Sequence, residues 1–411
     1  MRKIALLITG FLIFSGSIVS GAGLLIRESM VMHSRILKQE VSFSVCLPAE
    51  YFQETKSYPV VYLLHGLGDD ETSWLEYGRI SQYAGESVES GETDPMIFVM
   101  PEAFRTYYVN DFKGSFLYQD MFVNELVPYI DSLFRTNADR QHRAVMGYSM
   151  GGFGAMILHL KHPDVFGTSV PLSMSVRTDE QYMTEDASGW DDQWGRLFGA
   201  PGSKGADRLT DDYRSNSPFY IFPAMPAEKK AELNIYMVNG DEEQTLCRSN
   251  EELHILMQKS GIAHEYRVVD GGHSFRVWSA ALPGALRFIN DAFQGKSYRG
   301  ERTTQTPATL LPANQIISVN INNEPVTAIV PVDYMSSDRK YPVLYFTGSL
   351  SETEKAAIGA AVNQLIEENM VCPMLVVFLP LTDTAAFRRL IPQLEEKLRI
   401  RPGYRFRSIA G

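Results

Sequence analysis

Residues 143–158 read Arg-Ala-Val-Met-Gly-Tyr-Ser-Met-Gly-Gly-Phe-Gly-Ala-Met-Ile-Leu. A strand-like run, Arg143–Met146, enters Gly147-Tyr148-Ser149-Met150-Gly151-Gly152, and a helix-like apolar run leaves it. A Gly-x-Ser-x-Gly turn between strand and helix lifts its serine out at the top of a sheet. The turn is so tight that the residues flanking the serine must lack bulk, which selects glycine. The helix behind it offers unpaired N–H groups to a developing oxyanion. The competing reading is a chance match in a glycine-rich loop. Three further elements, in fixed chain order, argue against it.

The first is Val60-Val-Tyr-Leu-Leu-His-Gly-Leu-Gly-Asp-Asp70, a buried-strand run ending in His-Gly and a polar loop. In α/β-hydrolases this loop donates an N–H to the oxyanion, so Leu67 and Met150 are the expected donors. His65 is expected to brace the loop. The second is Val269-Asp-Gly-Gly-His-Ser-Phe275. A histidine on a Gly-Gly loop at a strand end can reach a serine and take its proton, with a pKa near operating pH. His273 is therefore the expected base; the other seven histidines lack such a setting. The third is the acid. The strand-like run 233–239 ends in Gly240-Asp241-Glu242-Glu243. The order serine, acid, histidine is that of the α/β-hydrolases, but three adjacent carboxylates leave the choice of acid open.

Together these elements resemble the esterase D-like branch of the α/β-hydrolases over roughly residues 28 to 296. That branch holds tributyrin and acetyl esterases, feruloyl esterases, S-formylglutathione hydrolases and mycolyltransferases. The likeness rests on Tyr58-Pro-Val-Val-Tyr-Leu-Leu-His-Gly-Leu-Gly68 with Trp74 and on Gly147-Tyr-Ser-Met-Gly-Gly-Phe-Gly-Ala155. It rests also on Gly240-Asp-Glu-Glu243 and on Gly272-His-Ser-Phe275 with Trp278. It implies a mostly parallel sheet with helices on both faces, and a triad of Ser149, His273 and an acid. The family commonly has Gly-x-x-Asp at the acid site. Here that position is Glu243, which ranks first, with Asp241 second. No cofactor and no metal are expected.

Composition fits a folded enzyme: 45% hydrophobic and 21% charged residues lie near the averages for globular domains. The net charge of −11 argues against nucleic acid as a partner, because phosphates would be repelled. Acidic polysaccharide is disfavoured for the same reason unless a local basic patch exists. Met1-Arg2-Lys3, the apolar run 4–19 and Ser20-Gly21-Ala22 read as a cleaved export signal, residues 1–22, rather than a membrane anchor. Glycine and serine interrupt the run, and no stable span is expected after cleavage. Cys46, Cys247 and Cys372 do not form a disulfide framework.

Repeated strand–helix patterning assigns 23–296 to one α/β domain, opened by a hairpin over 31–47. Residues 177–230 break the rhythm and are rich in aromatics. They read as a cap over the pocket, with Trp190 and Trp194 as candidate substrate-binding residues; the alternative is an ordinary surface excursion. Ser249-Asn-Glu-Glu252 reads as a capping box opening a helix. Residues 297–314 read as a linker.

Residues 315–411 echo the first domain. Tyr341-Pro-Val-Leu-Tyr345 matches Tyr58-Pro-Val-Val-Tyr62, and residues 391–411 align without a gap on 127–147. This segment is expected to be a degenerate half-copy of the same fold. It carries no nucleophile, acid loop or histidine, and is expected to dock on the first domain or to self-associate.

The expectation is thus an exported serine carboxylesterase acting on acetyl, short-chain or feruloyl esters, with a small-molecule or carbohydrate ester as partner. Its rivals are an acyltransferase of the mycolyltransferase type and a catalytically weak sugar-binding relative.

Overall fold

The computed structural model describes residues 24–301, 314–321, 324–380, 384–403 and 406–410. The expected signal, and all of the expected linker beyond residue 301 except Asn314, lie outside the described residues. Among the described residues no helix is long and apolar enough to cross a membrane.

The larger sheet has eight strands: β1 Leu25–Ser34, β2 Gln39–Leu47, β3 Val60–Leu64, β4 Ile97–Pro101, β5 Arg143–Tyr148, β6 Thr168–Leu172, β7 Tyr236–Gly240 and β8 Glu265–Val269. Their spatial order is β1-β2-β4-β3-β5-β6-β7-β8. β1 and β2 form an antiparallel hairpin that also meets β4 antiparallel; β4 through β8 run parallel. The central strands are buried on both faces, as parallel strands must be when helices cover both sides. Helix Met150–Lys161 packs on one face through Phe153, Met156 and Ile157. Helices Ile80–Glu89 and Phe275–Phe293 cover the other through Ile80, Leu282 and Ile289. The architecture is the α/β-hydrolase fold that the sequence implies.

Two boundaries differ from expectation. The hairpin starts at Leu25, because Ile26 is drawn into the core although the alternation there is weak. The helix expected to open at Ser249 spans Thr245–Lys259 instead. Ser249 lies inside it and turns its hydroxyl back to the carbonyls of Thr245 and Leu246 (3.4 and 3.3 Å), as serine does inside helices.

The smaller sheet has five strands: β9 Asn314–Ile321, β10 Glu324–Pro331, β11 Val343–Thr347, β12 Leu375–Leu379 and β13 Arg407–Ala410. Their order, β13-β11-β12-β10-β9, reproduces that of β5-β3-β4-β2-β1. Register agrees too. Val60 stands opposite Ile97 and Arg143, and Val343 opposite Leu375 and Arg407.

This second unit docks on the first through buried charge. Arg339, 1% exposed, binds Asp333 of its own unit at 2.7 Å and Glu28 of β1 at 3.1 Å. Arg401 reaches Glu28 at 3.7 Å and pairs with buried Glu76. Arg79, also buried, donates to the Ile366 carbonyl at 3.4 Å. Charges this deep are tolerated only when paired, so the docking geometry is specific.

Candidate active site

The elbow is held open by missing side chains. A Cβ on Gly147 would press on the carbonyl of Gly151, and one on Gly151 on the carbonyl of Leu64. Ser149 adopts φ 57° and ψ −117°, a conformation costly for any residue with a Cβ. Its N–H donates to Leu172 O and its carbonyl accepts from the Ser175 N–H, each at 3.0 Å, so the ladder of β5 and β6 grips both sides of the turn. The strain is thus held by the sheet.

His273 stands on the loop after β8. Its Nε2 lies 2.8 Å from Ser149 Oγ and its Nδ1 3.0 Å from Glu243 Oε2. The imidazole side chain is 38% exposed and the carboxylate completely buried, so solvent reaches the base and not the acid. Asp241 sits elsewhere: its Oδ1 accepts the Gly271 N–H at 2.9 Å and braces the histidine loop from below. Glu242 is exposed at the cleft.

Glu243 is steered by a group that the sequence did not flag. Its Oε1 accepts the Gly240 N–H at 2.8 Å and the hydroxyl of Ser173. Ser173 in turn accepts from Trp278 Nε1 at 2.7 Å. Trp278 lies edge-on to His273, with ring centroids 5.1 Å apart, and stacks on Tyr148 at 4.2 Å. One relay therefore orients acid, base and elbow. A lone serine after a buried strand carries no pattern that would have revealed it.

The loop after β3 is fixed from three sides. His65 Nε2 accepts the Ala103 N–H at 2.9 Å, so its proton is on Nδ1, which donates to Gly66 O at 2.8 Å. Tyr148 donates to Asp69 at 2.6 Å, tying this loop to the residue before the serine. Burial pushes the Asp69 carboxyl up from its ordinary pKa, and this hydrogen bond pulls it part of the way back. Leu67 borders the cleft beside Ser149. Met150 is the first residue of its helix, where N–H groups have no intrahelical acceptor.

The cleft holds about 490 Å³. Among the described residues, Leu67 and Leu246 are the only aliphatic ones lining it; Tyr107, Ser175, Arg177, Gln193, Gln244 and Thr245 make most of the wall polar. Tyr107, Ser173 and Gln244 all have φ near 50°, like Ser149. Strained backbone clusters where function needs it. Burial pushes the Tyr107 hydroxyl up from its ordinary pKa; it receives a hydrogen bond from Gln193 Nε2.

Residues 177–230 form short helical turns between β6 and β7 and supply Gln193 to the wall. Trp190 and Trp194, expected to touch substrate, do not line the cleft. Both are fully buried, because Tyr182, Phe198 and Tyr213 enclose them in a core of this insertion. Trp194 acts on the wall indirectly, packing on Tyr107 with centroids 4.5 Å apart.

A serine, an imidazole and a buried carboxylate joined in one hydrogen-bonded line, at the carboxyl ends of this parallel sheet, are the equipment of a serine hydrolase of the α/β-hydrolase fold. The profile of the Esterase family, described as "Putative esterase", matches residues 34–289, and the chain belongs to that family. It is 36% identical over 135 residues to an endo-1,4-beta-xylanase/feruloyl esterase of Xylanibacter ruminicola, covering 30% of this chain and 18% of that longer protein. It is 24% identical over 271 residues to an acetyl esterase of Caldicellulosiruptor saccharolyticus, covering 63% of this chain and 96% of the relative. A solved ferulic acid esterase is 29% identical, with TM-score 0.56, covering 66% of this chain and 99% of that one. The chain thus spans well under two thirds of the xylanase/feruloyl esterase and almost the whole of the other two.

Proposed function

We propose that the protein is an exported serine carboxylesterase acting on acyl esters of carbohydrate, with Ser149 as nucleophile, His273 as base and Glu243 as acid. The observation that carries this is the continuous line from Ser149 Oγ through His273 to Glu243, at 2.8 and 3.0 Å. His273 Nε2 takes the serine proton as Oγ attacks the ester carbonyl. The oxyanion forms against the N–H groups of Leu67 and Met150, where one donor contributes about 3 kcal/mol. Collapse expels the alcohol, which receives its proton from His273. Water then attacks the acyl-enzyme by the same steps and regenerates the serine. Glu243 faces the imidazolium across the Nδ1 hydrogen bond and orients it.

A polar cleft with two aliphatic residues suits a short or polar acyl group and a sugar alcohol better than a long chain. The names of the relatives, acetyl and feruloyl esterases, agree with this. Export rests on the basic and apolar pattern of residues 1–22. Residues 315–411 are read as a non-catalytic half-copy, a reading supported by the shared strand order and register.

The test is a panel of nitrophenyl esters together with acetylated and feruloylated xylo-oligosaccharides, alongside fluorophosphonate labelling. The expected result is turnover with label on Ser149. No turnover of any ester, with Ser149 unlabelled in folded protein, overturns the reading.

A further inference from the structure

Arg177 follows β6 and lines the cleft with Ser149 and His273. It is half-buried. Its guanidinium lies over the ring of Trp194, 5.5 Å from the centroid, and Nη1 donates to the Val176 carbonyl at a long 3.3 Å. Among the described residues no carboxylate lies within ion-pair distance of it, whereas Arg143, Arg267, Arg287 and Arg339 each have one. Glu242 borders the same cleft but is exposed and forms no pair with it. The buried Trp194 supports one face of the guanidinium and restrains it. Among the described residues the other donors of its planar fork have no acceptor within hydrogen-bond distance. A fork held in this way matches a carboxylate in two-point contact, which a lysine cannot reproduce.

We propose that Arg177 is a specificity-determining residue that binds a carboxylate carried by the substrate. This rests on the esterase reading of the same cleft and narrows its substrate class to anionic esters. The net charge of −11 does not oppose this at the site itself. Exposed charges act weakly beyond about 10 Å in ordinary salt, whereas Arg177 meets the ligand directly. Two sources of the carboxylate share this chemistry: the acyl half, as in a hemisuccinate, or the alcohol half, as in an acetylated uronic acid. Neutral partners of equal size serve as the reference for each.

The experiment measures kcat/KM of the full chain on four substrates: methylumbelliferyl hemisuccinate against the butyrate, and the acetylated methyl glycoside of galacturonic acid, its carboxyl free, against acetylated methyl galactoside. The expected result is a preference of roughly tenfold or more for the anionic member of one pair, the size expected for a charge-assisted bidentate contact. Which pair shows it identifies the half that carries the charge. Arg177→Met should abolish the preference and Arg177→Lys restore only part of it, with raised salt eroding it in the native chain. A native chain without preference in either pair overturns the proposal, and so does a preference that survives Arg177→Met. In both cases turnover of the neutral esters and labelling of Ser149 leave the esterase reading standing. If no ester is turned over and Ser149 is not labelled, both readings fall together.

Discussion

In the larger sheet the edge of β3 is locked by Tyr58, whose N–H donates to Arg135 O at 2.9 Å and whose carbonyl accepts the Asn137 N–H at 2.8 Å. In the smaller sheet Tyr341 makes the same two bonds with Arg399 and Arg401, both at 2.8 Å. Arg135 covers the ring of Tyr51 at 3.9 Å, and Arg399 covers Tyr334 at 3.9 Å. Arg143 pairs with Asp131, and Arg407 pairs with Glu395. The two frameworks therefore agree down to individual clamps. They part company at the strand ends. β3 runs into His65-Gly66-Leu67, where β11 runs into Gly348-Ser349; all eight histidines lie within the first 273 residues. Strand interiors answer to packing, which both sheets share, while loops at strand ends are free to differ, and the serine, histidine and acid in hydrogen-bonded line stand on loops of the first.

Four measurements test this division of labour between the two sheets. Ser149→Ala should lower kcat by about 10⁴-fold or more, as loss of the nucleophile does in serine hydrolases, with the melting temperature nearly unchanged. Turnover that survives would mean that the chemistry lies elsewhere than the larger sheet's elbow.

Glu243→Gln should lower kcat by about 10³- to 10⁴-fold, because the imidazolium loses its facing charge. Asp241→Asn should cost much less, since Asp241 meets only the Gly271 N–H. Steady-state kinetics with the reverse ranking would move the acid to Asp241.

Ser173→Ala removes one of the two donors that hold Glu243 Oε1 and leaves Trp278 Nε1 without its acceptor. The carboxylate is then positioned by the Gly240 N–H alone, and its line to His273 is less well oriented. On a neutral ester kcat should therefore fall about tenfold with KM nearly unchanged, the pattern of an interaction that matters in the transition state. An unchanged kcat would make Ser173 a packing residue only.

Arg339→Met leaves Asp333 without its cation and Glu28 with only Arg401, at 3.7 Å, at the junction of the two units. It should cost about 3 kcal/mol of stability in thermal or denaturant unfolding, with kcat on a neutral ester unchanged. A loss of kcat without loss of stability would show that the smaller sheet takes part in the site.

Much of this molecule was legible locally. Glycines around Ser149, the Gly-Gly loop of His273 and the buried β-branched runs encode turns and strands that depend on near neighbours. The chain order of serine, acid loop and histidine followed from them, and the echo of Tyr58-Pro59 in Tyr341-Pro342 pointed to a second sheet. What only the tertiary structure decided depends on residues far apart in the chain. Three carboxylates in succession look alike in sequence; the one that meets His273 is selected by Ser173, 70 residues away, and by the Gly240 N–H. Trp190 and Trp194 read as sugar platforms because aromatic residues suit both a sugar face and a core. Packing by Tyr182, Phe198 and Tyr213 assigned them to the core. Arg177 and Arg339 are equally anonymous in the sequence. One faces a cleft where no described carboxylate comes within ion-pair distance of it, the other a buried pair of acids, because folding chose different neighbours for the same side chain.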